Sequence, residues 1–205
     1  MGQHLNPLTI RKADYPIEPL FLKRWSPRAM SGEPINDREL MTLFEAARWA
    51  PSTRNEQEWR FLYARRESEH WPTFFDLLAQ GNRSWCKQSA VLVVVLAHKY
   101  FSNTGAPNPV HLYDAGAAWQ NLALQGATMN LVVHAMAGFD YDRARSALQV
   151  PDDFDVAAMI AIGRPGDPEE LPEDLRSRET PSLRRPVSES AWEGPFKSTN
   201  PSIKC

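Results

Sequence analysis

One segment constrains this chain more than any other. Residues 90–97 read AVLVVVLA, eight apolar residues in a row with valine dominating. A strand with no polar face must sit in the middle of a sheet that is covered on both sides. The run is far too short to span a bilayer, which needs about 20 apolar residues as a helix. A second run, 156–162 (VAAMIAI), ends at Gly163 and predicts another buried strand. Residues 131–136 predict a third, ended by Gly138, and residues 60–64 a short fourth.

Helical patterns lie between them. In 34–50, Asn36 and Glu39 have the spacing of a capping box,. Leu40, Leu43, Phe44 and Ala47 then recur at helical spacing, and Pro51 stops the run,. Residues 68–80 predict a helix with Pro72 near its start. Residues 114–129 predict one that is apolar nearly all round and therefore buried, with Asp114 as its cap,. Its small residues allow another backbone to come close. Residues 141–148 predict a short helix that ends before Pro151. Residues 98–112, with Gly105, Pro107 and Pro109, read as a loop, and the chain is polar and proline-rich after Pro165. Strands and helices alternate without a strict βαβ rhythm. The fold class is therefore α+β, a mostly antiparallel central sheet flanked by helices. One domain over residues 1–205 is expected, with 188–205 a C-terminal extension.

Composition narrows the function. Seventeen prolines against ten glycines suit long, defined loops. A net charge of −2 argues against a nucleic-acid partner,. Cys86 and Cys205 make neither a disulfide framework nor a zinc site, which fits a reducing compartment,. Residues 1–12 lack the apolar region of a signal peptide,. A cytoplasmic protein with no membrane segment and no metal site is expected.

Four stretches carry chemistry. In Arg24-Trp25-Ser26-Pro27-Arg28, alternate residues of an extended chain share a face, so two guanidinium forks and a hydroxyl can receive a phosphate,. A solvated basic turn is the plainer alternative. The loop Ala50-Pro51-Ser52-Thr53-Arg54-Asn55-Glu56-Gln57-Glu58-Trp59 offers hydroxyls and carboxamides beside aromatics, which suits a polyol or a heterocycle as well as an ordinary turn,. Ala135-Met136-Ala137-Gly138 ends a strand with a glycine that permits close approach of a flat ligand, or makes a simple turn,. Arg184-Arg185-Pro186 adds cations late in the chain. His98 and His134 flank strands and read as packed. His111, in the loop, reads as solvated or as a proton donor. Trp192 and Phe196, in the polar tail, suggest that it docks on a second subunit.

Taken in order, these stretches resemble the nitroreductase family of flavoproteins. RWSPR is similar to the family's Arg-x-Ser-x-Arg/Lys element and APSTRNEQEW to its Ala-Pro-Ser-x-x-Asn-x-Gln-Pro-Trp element. Asn82 and Trp85 resemble an Asn-x-x-Trp element, and DAGAAWQNLALQGATMNL resembles the family's central helix. AGFD, IAIGRPG and RRP match later elements, so the likeness runs from about Lys23 to Val187. It implies an intertwined α+β homodimer whose sheet receives a strand or tail from the partner, with FMN in the interface. Arg24, Ser26 and Arg184 would hold the FMN phosphate. Arg28 would reach the ribityl chain or the O2 edge, where a cation stabilises the reduced ring. Ser52, Asn55 and Gln57 would meet ribityl and ring, and Asn82 would lie near the ring. The backbone of Ala137 and Gly138 would lie against N5. NADH or NADPH would reduce the flavin, and a small nitroaromatic, quinone or similar acceptor would reoxidise it, with no catalytic side chain required. Dehalogenation, dehydrogenation, flavin breakdown, or a non-catalytic sensor or carrier are the alternatives in the same superfamily. Three positions depart from the pattern: Glu58 stands where a proline is expected, Ala137 where a polar residue is frequent, and Ser182 where a basic residue sometimes occurs.

Overall fold

The computed structural model describes residues 5–196. The elements follow in the order α1 (Pro7–Ile10), α2 (Pro19–Lys23), α3 (Asp37–Arg48), β1 (Trp59–Arg65), α4 (Trp71–Leu77), α5 (Gln80–Cys86), β2 (Val91–His98), α6 (His111–Thr128), β3 (Val132–Met136), α7 (Tyr141–Ala147), β4 (Phe154–Gly163) and α8 (Glu173–Arg176). The four strands make one sheet in the order β1-β2-β4-β3. Every neighbouring pair is antiparallel, with Trp59 opposite Ala97, Val91 opposite Ile162 and Val132 opposite Gly163. The α+β expectation with an antiparallel sheet therefore holds.

The valine-rich run does what its composition demands. Strand side chains alternate between faces, so β2 divides its apolar residues between two cores. Leu92, Val94 and Leu96 join Phe74, Leu77, Trp85, Met136 and Met159 on one face. Val91, Val93, Val95 and Ala97 join Leu40, Leu43, Ala118, Leu122 and Ile160 on the other. The first layer is closed by α4, α5 and α7, the second by α3 and α6. Helix α3 begins with the capping box read in the sequence: the Glu39 amide donates to Asn36 Oδ1 and the Asn36 amide to Glu39 Oε2, each at 2.9 Å.

Two predicted helices differ from the sequence reading. The helix expected over 68–80 is two helices, α4 and α5, broken at Leu78 and Ala79. Both residues are extended there, because the chain pairs with the end of β3: Leu78 bridges Phe139 and the Ala79 amide donates to the Gly138 carbonyl. A backbone partner across the gap outweighs local helical preference. Helix α6 begins at His111, three residues before the predicted start, and Asp114 does not cap it. Asp114 is turned inward, 4% exposed, in the first turn. Near its other end α6 crosses β3 at Gly126, where a Cβ would lie 2.4 Å from Val133 Cγ2. Among the described residues no helix is long and apolar enough to cross a membrane.

Candidate functional site

Lys23 ends α2, and the chain then runs extended through Arg24 and Ser26 toward β3. Arg24 Nη1 donates to Ser26 Oγ at 3.2 Å, so two of the predicted phosphate residues do share a face. The segment is held from both sides. His134 on β3 lies against the Trp85 ring, and its Nδ1 meets the Pro27 carbonyl at 2.9 Å. A carbonyl can only accept, so the proton sits on Nδ1. Burial pushes the His134 pKa down, which keeps the ring neutral,. On the other side lies Arg11, 8% exposed. Its Nη1 donates to the carbonyls of Leu22 (3.0 Å) and Arg24 (2.7 Å), and its Nε to the Ser182 carbonyl (2.9 Å). Ser182 also receives Arg184, whose Nη1 lies 3.0 Å from Ser182 Oγ.

Arg11, Arg24 and Arg184 thus converge. Burial, then the charges of Arg184 and Arg24, hold Arg11 below the usual guanidinium range, and burial, then Arg184, does the same to Arg24. Like charges brought together in a partly desolvated place are costly unless an anion joins them.

Arg28 is engaged differently. Glu179, 5% exposed, accepts the amides of Arg28 (2.6 Å) and Ala29 (2.9 Å) through Oε1, and its Oε2 lies 3.6 Å from Arg28 Nη1. Part of the Arg28 charge is therefore neutralised within the chain. Arg28 shares an open cavity of about 440 Å³ with Asn82 and Trp85. Asn82 Nδ2 donates to the Gly138 carbonyl at 2.9 Å, and Trp85 Nε1 to Asn82 Oδ1 at 3.3 Å. A Cβ on residue 138 would lie 2.7 Å from Asn82 Nδ2, so a side chain there would push the Asn82 carboxamide aside. Ala137 and Gly138 are both exposed.

The loop 52–57 stands apart. It leads into β1, whereas the arginines and Gly138 cluster near β3, the opposite edge of the sheet. Three inter-strand steps separate these edges, about 14 Å. Three of its residues, Arg54, Asn55 and Gln57, have positive φ of 56°, 57° and 52°. Such conformations cost roughly 1 kcal/mol or more each and persist where surrounding bonds enforce them. Here the Gln57 amide donates to Ser52 Oγ (3.0 Å), Gln57 Nε2 to the Asn55 carbonyl (3.1 Å), and the Thr53 amide to Asp114 Oδ2 (2.8 Å). The loop 98–110 supports it from outside: the Ser102 amide donates to Glu56 Oε1 and Arg54 lies over the Phe101 ring.

Within one chain, then, Arg24, Ser26 and Arg184 come together, as do Arg28, Asn82 and Gly138, while Ser52, Asn55 and Gln57 form a third group. His111 is neither a loop residue nor solvated. Its ring bonds the Asn108 carbonyl (2.7 Å) and Asp155 Oδ2 (2.8 Å), which engages both nitrogens. His98 is packed as expected, between Asp153 and the Tyr100 carbonyl. Cys86 is a buried free thiol, 3.5 Å from Met136 Sδ, and burial pushes its pKa up. The sequence reading missed Arg11, Glu179 and His134 as supports. Lone charged residues far away in the chain carry no local pattern that would single them out. Glu58 did carry one, because it departs from an otherwise matching motif.

The model of the nitroreductase family matches residues 22–84 and 65–164, most of the chain. The chain belongs to the nitroreductase family. A solved structure described as an oxidoreductase containing FMN is 44% identical, covers 92% of this chain and 97% of its own, and superposes with a TM-score of 0.88. A nitroreductase family structure from Desulfovibrio desulfuricans, described in complex with FMN, is 25% identical over 87% of this chain and 96% of its own, with a TM-score of 0.67. A Streptomyces coelicolor relative with the provisional name NADH dehydrogenase/NAD(P)H nitroreductase is 30% identical over 169 residues, 73% of this chain and 83% of that one. The family elements named from the sequence fall largely within the matched residues; Arg184 lies beyond them.

Proposed function

We propose that this nitroreductase-family chain binds FMN and works as an oxidoreductase. The observation that carries this reading is the convergence of Arg11, Arg24 and Arg184, an arrangement suited to a dianionic phosphate,. The described FMN content of the 44% identical structure supports it. FMN bound there would supply hydride transfer through N5, from NADH or NADPH to a nitroaromatic, quinone or similarly electron-poor acceptor.

The chain's own residues bind and position. Arg24, Ser26 and Arg184 hold the phosphate, and Arg11 fixes Arg24 and Ser182 by their carbonyls. The exposed backbone at Ala137 and Gly138 offers a flat surface without a side chain at residue 138, backed by Asn82. Arg28, partly offset by Glu179, supplies a tempered positive charge to the ring edge. Ser52, Asn55 and Gln57 lie at the opposite edge strand, and we infer that they serve the site of a second copy. A homodimer also accounts for the exposed aromatics on α3 and α6: Trp49, just past the end of α3, is 72% exposed and Tyr113 80%,. Trp192 and Phe196 pack edge to face with ring centroids 5.5 Å apart, and Phe196 is 84% exposed, which suits a tail, residues 188–205, that docks on the partner. Residues 197–205 of that tail, with Cys205, lie outside the described residues. A cytoplasmic site of action fits the same reading.

The test is the visible spectrum of the purified protein before and after anaerobic NADH or NADPH. Flavin bands that bleach are expected. A colourless protein that takes up no added FMN would overturn the proposal.

A further inference from the structure

Glu58 is among the most deeply buried side chains of the molecule, 2% exposed, at the point where the loop 52–57 enters β1. Its Oε1 accepts Asn108 Nδ2 at 2.8 Å. Its Oε2 is sealed from water and meets no donor among the described residues. What faces it is a second buried carboxyl, Asp114 of α6, whose Oδ2 is already taken by the Thr53 amide at 2.8 Å. Two carboxylates cannot both stay charged in such a place, and two acceptors cannot bond without a proton between them. The remaining ionisable groups nearby are engaged elsewhere: His98 with Asp153, His111 and Lys99 with Asp155, Glu56 with the Ser102 amide, and Arg54 over Phe101.

We propose that Glu58 is kept as the neutral acid and donates its proton to Asp114, so that one shared proton locks the left-handed turn 52–57. Glu58 and Asp114 are positioning residues. The chain of bonds runs from Asn108 to Glu58, from Glu58 to Asp114, and from Asp114 to Thr53, joining the outer loop, β1, α6 and the turn. Burial, followed by the neighbouring Asp114, raises the Glu58 pKa, in agreement with this arrangement. Loss of the proton to solvent would set two carboxylates against each other and loosen Asp114 from the Thr53 amide. The turn that carries Ser52, Asn55 and Gln57 would then relax. Its consequence for FMN rests on the function proposed above; the pair itself does not.

The sign of the pH effect follows from linkage. Glu58 binds its proton more tightly folded than unfolded. The folded chain therefore carries an extra proton between the ordinary carboxylate value and the raised one. Stability falls as pH rises through that window, by a factor of up to about ten per pH unit, and levels once Glu58 ionises.

The test compares the wild type with Glu58→Gln, a neutral isostere that can accept from Asn108 and donate to Asp114. The full chain, free of flavin, is followed between pH 5.5 and 9 by thermal melting and by the hydrogen-exchange protection of the Thr53 amide. In the wild type, protection is expected to fall with rising pH until Glu58 ionises, by up to about tenfold per pH unit, the limit of one-proton linkage. In Glu58→Gln it is expected to stay high and flat, and the fall in Tm with pH should shrink. FMN titration on the same samples should show the same contrast in Kd. A Glu58→Gln protein that keeps the wild-type pH slope, or that leaves Thr53 unprotected at low pH, would overturn the proposal. Should the wild type take up no FMN at any pH, the flavin reading falls, while exchange at Thr53 still judges the pair.

Discussion

Like charges crowd at both edges of the sheet, and the chain deals with them in opposite ways. Near β3, Arg11, Arg24 and Arg184 converge, and burial with the charge of Arg184 lowers the proton affinity of both Arg11 and Arg24. Near the start of β1, Glu58 and Asp114 face each other in a dry pocket. A carboxyl pair can resolve its conflict internally, because a carboxyl gains or loses a proton at modest cost. A guanidinium cannot do so near neutral pH, because its delocalised charge holds the proton far more firmly than a carboxyl does. The arginine edge is therefore left wanting an anion from outside, whereas the acid edge is complete once it holds one proton. On the function and the shared proton proposed above, that difference separates a place that receives a ligand from one that holds a shape.

The comparison can be broken most directly at Arg24. Arg24→Ala should weaken FMN binding by about 100-fold, the scale of losing a charge-assisted contact worth roughly 3 kcal/mol. It should not lower the Tm of the flavin-free chain, because one of three repelling cations is gone. Fluorescence titration and melting together check both halves. A fall in flavin-free Tm would mean that Arg24 is structural and that the contrast is false.

The acid edge should behave in reverse. Glu58→Ala leaves Asn108 Nδ2 without its acceptor and a gap beside Asp114, so urea unfolding should show a loss of about 2 kcal/mol, the range for a buried group stripped of its partner,. Glu58→Gln should lose much less. Equal losses would show that the shared proton is not what matters.

A smaller effect sharpens the idea of an unsatisfied arginine cluster. Inorganic phosphate at tenfold its Kd should stabilise the flavin-free wild type by about 1.4 kcal/mol through mass action. The shift should vanish in Arg184→Ala. A Tm that rises equally in both proteins would point to general salt effects.

The smallest effect is expected away from both edges. Asn36→Ala removes half of the capping box at the start of α3. It should cost about 1 kcal/mol in urea unfolding and leave FMN affinity unchanged. A change in affinity would couple α3 to the site in a way the geometry does not provide.

Much of this was legible in the chain. The run at 90–97 demanded a strand buried on both faces, and the alternation of its side chains divides it between two cores. Asn36 and Glu39 marked the start of α3 because a capping box is a contact three residues long. Arg24 and Ser26 share a face for the same reason: two-residue periodicity is a local property of an extended backbone.

What escaped the sequence lay in contacts between distant residues. The break between α4 and α5 follows from a bond between Ala79 and Gly138, about sixty residues away, and no helix propensity reports that. Asp114 has the chemistry of a helix cap, and only the packed loop 52–57 turned it into an acceptor for Thr53. Arg11 and Glu179 support Arg24 and Arg28 from the two ends of the chain. Local patterns determined the strands, the caps and the kinds of side chain offered to a ligand, because those depend on neighbours within a few bonds. The tertiary structure decided which charges meet, since burial and proximity across the sheet set the cost of a charge, and neither is written in any short stretch of sequence.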